Sequence, residues 1–113
     1  MSAVCYCTHC QRQSGAMFST NLVVPEGQYI QQGETKVFQD KGDSGKQVSR
    51  HFCATCGSPV FSKVAAGPGA VFVKAGTLDD ASCLTPAVEV YADHAAKWLP
   101  PIPGARRFPQ AAG

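Results

Sequence analysis

Short runs of apolar and β-branched residues, separated by glycine, proline and polar turns, make up most of the chain. In the clearest run, Val48, Arg50 and Phe52 alternate with Ser49 and His51, which is the period-two pattern of a β-strand. Many short strands at close spacing predict a mainly β fold with little helix. The other runs that predict strands are residues 17–24, 36–39, 60–64, 70–75 and 88–91, with a short extended piece at residues 29–32.

Helix-forming residues are concentrated in one segment, residues 93–98, which the prolines at positions 100 and 101 bring to an end. The residues after Cys10 predict a short helical turn that ends at Gly15. The tail, residues 100–113, contains four prolines. It predicts an extended segment whose last residues are mobile.

The size and charge of the chain restrict its class. Its 113 residues suit one domain with a single modest core, so we predict one domain over residues 1–113. The net charge of +2 is too small to indicate binding to nucleic acid or to an anionic membrane. No apolar run approaches the roughly 20 residues of a spanning helix, and the first residues do not form a signal peptide. These features predict a cytoplasmic protein without a nucleic-acid or membrane partner.

Six cysteines are many for this length, and five of them lie in two tight clusters. Cys5, Cys7 and Cys10 form a CxCxxC motif, and Cys53 and Cys56 form a CxxC motif. An even number of cysteines would suit disulfides in a secreted protein. In a protein without an export signal, close cysteine pairs favour metal binding instead.

Zinc prefers four ligands in a tetrahedron, and cysteine thiolates are among its usual ligands. Cys53 and Cys56 lie between two predicted strands with Gly57 after them, which is typical of a hairpin knuckle that presents two thiolates to one ion. Three thiolates with one open position are typical of a catalytic zinc, and four of a structural zinc. Spacing alone also allows one four-cysteine site that draws two residues from each cluster, or a redox-active CxxC.

Several motifs together carry a family resemblance. The CxCxxC and QRQSG residues at 5–15 are followed by HFCATCGS at residues 51–58 and VFVKAGTLDD at residues 71–80, and then by Pro86 and Trp98. This pattern resembles the glutathione-dependent formaldehyde-activating enzyme family, which also contains centromere protein V. The resemblance covers roughly residues 4 to 100 of the chain.

The resemblance implies a tent-like fold of antiparallel sheets around two cysteine zinc sites. In that family the CxCxxC motif holds a catalytic zinc with an open position, a role that carries over to Cys5, Cys7 and Cys10. The CxxC motif holds half of a four-cysteine structural zinc, a role that carries over to Cys53 and Cys56. The family normally completes this second site with a CxC on an earlier strand, which we do not find in this sequence. A missing strand would expose a sheet edge and favour pairing into a homodimer.

The activity that the resemblance implies is a zinc-dependent carbon–sulfur lyase reaction, in which the thiol of glutathione adds reversibly to formaldehyde and gives S-(hydroxymethyl)glutathione. A related small thiol or aldehyde would suit the same site. The alternative is a non-catalytic binding module that zinc stabilises. Three thiolates and Zn²⁺ sum to a net charge of −1, which weakens the ion as a Lewis acid. We therefore favour binding of the substrate thiol as a thiolate over polarisation of the aldehyde.

Further side chains are candidates for supporting roles. Arg12 is the nearest cation in sequence to the first cluster, so we predict that it contacts a carboxylate of glutathione. His9 lies between two ligands and stays open as a fourth ligand, a hydrogen-bond donor to a ligand, or an exposed side chain. His51 is predicted to lie on the surface.

The remaining candidates have simpler interpretations. Asp79 and Asp80 are explained by a turn after the strand at residues 70–75. Trp98 is predicted to pack in the core, since aromatic side chains usually do. Cys83 stands apart from both clusters and is predicted to be a buried, unreactive thiol.

Overall fold

The computed structural model describes residues 1–42 and 45–111 of the chain. The described residues form eight strands and one α-helix, which confirms the prediction of a mainly β fold with little helix. No helix among them is both long and apolar enough to span a membrane. The elements are β1 (Ser2–Cys5), α1 (Thr8–Ser14), β2 (Ser19–Pro25), β3 (Thr35–Lys41), β4 (Gln47–Cys53), β5 (Pro59–Val64), β6 (Ala70–Lys74), β7 (Val88–Val90) and β8 (Arg106–Arg107).

All eight strands belong to one sheet, in the order β3-β4-β5-β6-β2-β1-β7-β8. The expected antiparallel sheets are therefore a single mixed sheet, because β7 pairs with both β1 and β8 in parallel. A long connection between β6 and β7 makes the parallel pairing with β1 possible, since parallel neighbours cannot be joined by a tight hairpin. Edge strand β3 exposes Phe38, and the homodimer stays a prediction.

The sheet curls, so that its edge strand β3 approaches helix α1 near the start of the chain. Asp40 on β3 lies 3.4 Å from His9 on α1, measured from carboxylate oxygen to ring nitrogen. Arg50 on β4 holds the same Asp40 through a hydrogen bond from Nε to Oδ2 of 2.8 Å. The curvature brings residues of β3 and β4 close to the CxCxxC segment, although three other strands separate β3 from β2 and β1 is further still.

Helix α1 is longer than the short turn that the sequence predicts after Cys10. It begins with Cys7 as its N-cap, and the Cys7 sulfur accepts a hydrogen bond from the Cys10 N–H at 3.3 Å. Gly15, with a φ of 67°, ends the helix and donates its N–H to the Gln11 carbonyl. The capping sulfur therefore both starts the helix and fixes the position of Cys10.

The predicted helix at residues 93–98 is wrong. A single 3₁₀ turn, Ala92–His94, is all that forms there. Six residues before a proline pair are too few to form a stable helix without an apolar face to bury. Trp98 is 71% exposed, so the prediction that it packs in the core is also wrong.

The tail is part of the sheet. Strand β8 pairs with β7, and the Phe108 N–H donates to the Glu89 carbonyl at 2.9 Å. Sequence pattern does not predict β8, because two exposed arginines carry no apolar signal. The predicted mobility of the last residues concerns residues 112–113, which lie outside the described residues.

A buried carboxylate links the segments at the β8 edge of the sheet. Glu89 on β7 is 0% exposed, and its Oε1 accepts hydrogen bonds from the Tyr6 hydroxyl at 2.5 Å and from Arg107 at 2.9 Å. Burial and the hydrogen bond to Glu89 raise the pKa of Tyr6 to about 12, so the phenol keeps its proton and remains the donor. Strands β7 and β8 and Tyr6, the residue that follows β1, thus share one charged cluster beside buried Val4.

Candidate metal centre

The structure brings the three cysteines of the CxCxxC motif together. Cys5 ends β1, Cys7 caps α1, and Cys10 lies in the first turn of that helix. Their sulfur atoms all lie within 4.8 Å of one another. The extended backbone before Cys7 and the helical turn after it make this convergence, as the spacing predicts.

The three thiols differ in how readily each one loses its proton. Hydrogen bonds from Cys5 and Cys7 lower the pKa of Cys10, and the charge of Lys74 contributes to the same shift. Hydrogen bonds to Cys10 raise the pKa of both Cys5 and Cys7. One sulfur therefore carries negative charge readily while its neighbours donate to it. A soft divalent cation would replace those protons, so this donor set fits zinc.

His9 is not a member of this group. Among the residues that the structure describes, the three cysteines alone make up the cluster of candidate metal ligands. The His9 ring lies beside Asp40 at 3.4 Å. The structure thus gives no support to His9 as the fourth ligand.

A cavity of about 340 Å³ opens beside the three sulfurs. Strand register explains its lining, because residues opposite one another share a face of the sheet. Arg50 on β4 is opposite Ser62 on β5, and Lys74 on β6 is opposite Asn21 on β2. Together with Cys5, these four side chains line the cavity.

The polar lining of the cavity is deeply buried. The exposed fractions are 4% for Arg50, 4% for Ser62, 7% for Asn21 and 8% for Lys74. Burial lowers the pKa of Lys74, and the nearby cysteines oppose that shift. Burial raises the pKa of Asp40, but the hydrogen bonds from Arg50 and from the Lys41 N–H, together with the nearby positive charge, lower it by more, so the net shift is downward. The lining of the cavity therefore holds two cations, and Asp40, which is not part of the lining, pairs with Arg50.

Sequence reasoning missed these four polar residues. A signal was present, since Arg50 and Lys74 interrupt the apolar side of strands whose other inward positions are Val48 and Phe72. A charge at an inward strand position is unusual unless something binds it. The pattern alone could not show that these residues from four strands face one cavity, because that depends on the register of the sheet.

Cys53 and Cys56 form the predicted hairpin knuckle between β4 and β5. The Gly57 N–H donates to the Cys53 carbonyl at 2.9 Å, and Gly57 has the left-handed φ of 78°. Backbone N–H groups of Cys56 and Thr55 lower the pKa of Cys53. Both sulfurs are presented in the manner of a metal half-site.

The two clusters stay separate. Within residues 1–42 and 45–111, neither Cys53 nor Cys56 belongs to a group of three or more candidate ligands. The structure therefore does not form the single four-cysteine site that spacing alone allows. A metal at Cys53 and Cys56 stays a prediction.

The two clusters offer different numbers of cysteines, which predicts that they bind zinc with different affinities. We expect about one tightly held zinc per chain at the three-cysteine cluster, with weaker binding at the knuckle because it offers only two ligands. Cys53→Ser should remove only the zinc that dialysis against a weak chelator extracts. Metal analysis before and after dialysis measures this. Loss of the chelator-resistant zinc in Cys53→Ser would contradict it.

Other candidates from the sequence lie outside the centre. Arg12 is exposed on α1 and does not line the cavity, so its contact with glutathione stays a prediction. His51 is half-buried instead of on the surface, and its ring stacks on Phe61 at 4.1 Å. Asp80 accepts a hydrogen bond from the Ser82 N–H at 2.9 Å, as expected of a turn. Cys83 is exposed, so the prediction that it is buried is wrong.

Comparison with known proteins agrees with this geometry. No curated protein matches the chain significantly. The model of one family, described as glutathione-dependent formaldehyde-activating enzyme, matches residues 1–94. That match includes all three cysteines of the cluster, the knuckle and the four polar residues of the cavity floor. The chain therefore belongs to the glutathione-dependent formaldehyde-activating enzyme family.

Proposed function

We propose that this chain is a zinc enzyme of the carbon–sulfur lyase type. Its reaction would be the reversible addition of a small thiol, glutathione, to formaldehyde, with S-(hydroxymethyl)glutathione as the product. The observation that carries the proposal is the cluster of three cysteine sulfurs at the edge of a cavity of about 340 Å³. Family membership supports the choice of glutathione and formaldehyde.

Cys5, Cys7 and Cys10 would hold the zinc, since their sulfurs lie within 4.8 Å of one another. When bound, zinc would supply a fourth position at which a substrate thiol is present as the thiolate, its nucleophilic form. A closed four-cysteine site would instead favour a non-catalytic module. The described cluster has three cysteines beside an open cavity, which favours the enzyme.

The cavity supplies the surroundings for this chemistry. Phe72, Val64 and Val90 give it apolar walls, which limit the access of water to the reacting groups. Arg50 is held in place by Asp40, and its charge faces the same space. The proposal includes a cytoplasmic location, because a reducing compartment keeps clustered thiols free to bind metal.

The test must separate catalysis from the spontaneous addition of thiols to formaldehyde. Exchange between ¹³C-labelled formaldehyde hydrate and its glutathione adduct can be followed by NMR at equilibrium. We expect the exchange rate to rise in proportion to the concentration of zinc-loaded protein. Cys83→Ser is the matched control, since Cys83 is exposed and outside the cluster, and it should keep the full rate.

Two results would contradict the proposal. One is an exchange rate with zinc-loaded protein equal to that of buffer or of the zinc-free chain. The other is the same acceleration by the Cys10→Ser variant, which lacks one thiol of the cluster. S-methylglutathione, whose sulfur cannot add to an aldehyde, should show no exchange in any sample.

A further inference from the structure

Three side chains on the cavity floor have hydrogen-bonding capacity that the described part of the chain leaves unused. The Asn21 Oδ1 and the Ser62 Oγ are buried and have no hydrogen-bond partner. No described carboxylate lies within ion-pair distance of the Lys74 ammonium, although Lys74 is only 8% exposed. Buried polar atoms are nearly always paired, so unpaired atoms that line one cavity point to a ligand.

The sheet register brings these three residues to one place. Lys74 and Asn21 are directly opposite each other on β6 and β2. Asn21 is also opposite Ala3, which lies two residues before Cys5 and on the same face of β1. Ser62 is opposite Phe72, which lies two residues before Lys74 and on the same face of β6. The unused groups therefore share the face of the sheet that ends at the cysteine cluster.

The chemistry of the three groups narrows the class of ligand. Lys74 can only donate hydrogen bonds, Ser62 can donate one, and the Asn21 oxygen can only accept. A carboxylate accepts hydrogen bonds and leaves the Asn21 oxygen unpaired. A hydroxyl group has two lone pairs, so it can accept from both Lys74 and Ser62 while it donates to the Asn21 oxygen, and it satisfies the whole set. The cavity floor therefore suits a substrate oxygen that only accepts hydrogen bonds before the reaction and is a hydroxyl group after it.

We propose that Lys74, Ser62 and Asn21 form the subsite for the aldehyde oxygen and for the hydroxyl that it becomes. This inference rests on the proposed function, and it assigns catalytic roles to residues outside the cysteine cluster. The ligand class is a small uncharged aldehyde and its thiol adduct. Arg50 stays paired with Asp40 and lines the cavity beside the subsite.

An electron pair of the substrate thiolate forms the S–C bond, and the π pair of the carbonyl moves to oxygen. The Lys74 ammonium and the Ser62 hydroxyl donate to the resulting alkoxide. The proton that the thiol released to solvent returns to this oxygen from water, and the new hydroxyl donates to the Asn21 Oδ1. Lys74 keeps its proton throughout, so its role is electrostatic.

Lys74→Met tests the subsite, since it keeps an unbranched side chain only one atom shorter and removes the charge. We expect the catalysed exchange rate to fall about 100-fold, the usual effect of removing an oxyanion donor. Zinc content should not change. Lys74→Arg should recover part of the rate. Lys63→Met is the matched control, because Lys63 lies on β5, is exposed and pairs with Glu26, and it should keep the full rate.

A binding measurement makes the test independent of turnover. Zinc-loaded protein is titrated by calorimetry with 2-mercaptoethanol and with 1-propanethiol, which differ by a hydroxyl in place of a methyl. We expect wild type to bind 2-mercaptoethanol about tenfold more tightly, the value of one or two satisfied hydrogen bonds. This preference should disappear in Lys74→Met and decrease in Ser62→Ala, while both variants keep their affinity for 1-propanethiol.

The outcomes separate this inference from the proposed function. Wild type could fail to accelerate the exchange and still prefer 2-mercaptoethanol, with that preference lost in Lys74→Met. In that case the proposed reaction fails and the subsite stands as a binding site for a hydroxyl group. If wild type catalyses the exchange and Lys74→Met matches it in rate and in thiol preference, the reaction stands and the subsite is overturned. A wild type without preference for the hydroxyl thiol overturns the subsite as well.

Discussion

Cys7→Ser is expected to abolish tight zinc binding and the catalysed reaction together. Cys7 is buried, and its sulfur lies within 4.8 Å of those of Cys5 and Cys10. A serine hydroxyl is a shorter and harder ligand that does not replace a thiolate on zinc. We expect zinc content to fall from about one equivalent per chain to near zero, and the exchange rate to fall to that of buffer.

The same substitution distinguishes metal loss from loss of helix α1. Serine is one of the best N-cap residues, so it can accept the Cys10 N–H hydrogen bond that the Cys7 sulfur accepts now. The circular dichroism spectrum of the zinc-free variant should match that of zinc-free wild type. Adding zinc should raise the unfolding temperature of wild type and leave that of Cys7→Ser unchanged. A variant that keeps a tightly held zinc would contradict the assignment of Cys7.

The parts of the fold that sequence predicts best are strands that carry their own pattern. The predicted strand at residues 48–52 lies within β4, and that at residues 60–64 lies within β5, because each alternates or clusters its apolar residues. The knuckle between them is equally local, since two cysteines and Gly57 define it. Local spacing also predicts that Cys5, Cys7 and Cys10 converge.

The parts that could not be predicted depend on distant partners. Strand β8 pairs with β7 and its Arg107 reaches Glu89, and nothing near residue 107 indicates that pairing. Strand β1 contributes only four residues and is held between β2 and β7. The same applies to the cavity floor, where Lys74 and Ser62 become neighbours of the cysteines only through the curl and register of the sheet. Sequence therefore locates the candidate metal ligands more readily than their surroundings.

Arg107→Met is expected to destabilise the protein by about 2–3 kcal/mol, because it leaves the Glu89 carboxylate buried without its cation. Glu89 is 0% exposed, and the Arg107 hydrogen bond to it measures 2.9 Å. The Arg107 side chain is 33% exposed, so we expect less than the full cost of breaking an entirely buried pair. Urea unfolding at neutral pH measures the change in the free energy of unfolding.

A double-mutant cycle shows whether the cost comes from the unpaired charge. Adding Glu89→Gln to Arg107→Met removes that charge and should recover about 1 kcal/mol or more, since a neutral amide is less costly to bury than a carboxylate. Arg106→Met is the matched control, because Arg106 lies on the same strand and its guanidinium lies over the Phe108 ring, 5.3 Å from the ring centroid. It should cost no more than about 0.5 kcal/mol. Equal losses in Arg106→Met and Arg107→Met would mean that β8 contributes through its backbone alone. A loss confined to Arg107→Met and relieved by Glu89→Gln makes the buried ion pair the contact that holds the tail in the sheet.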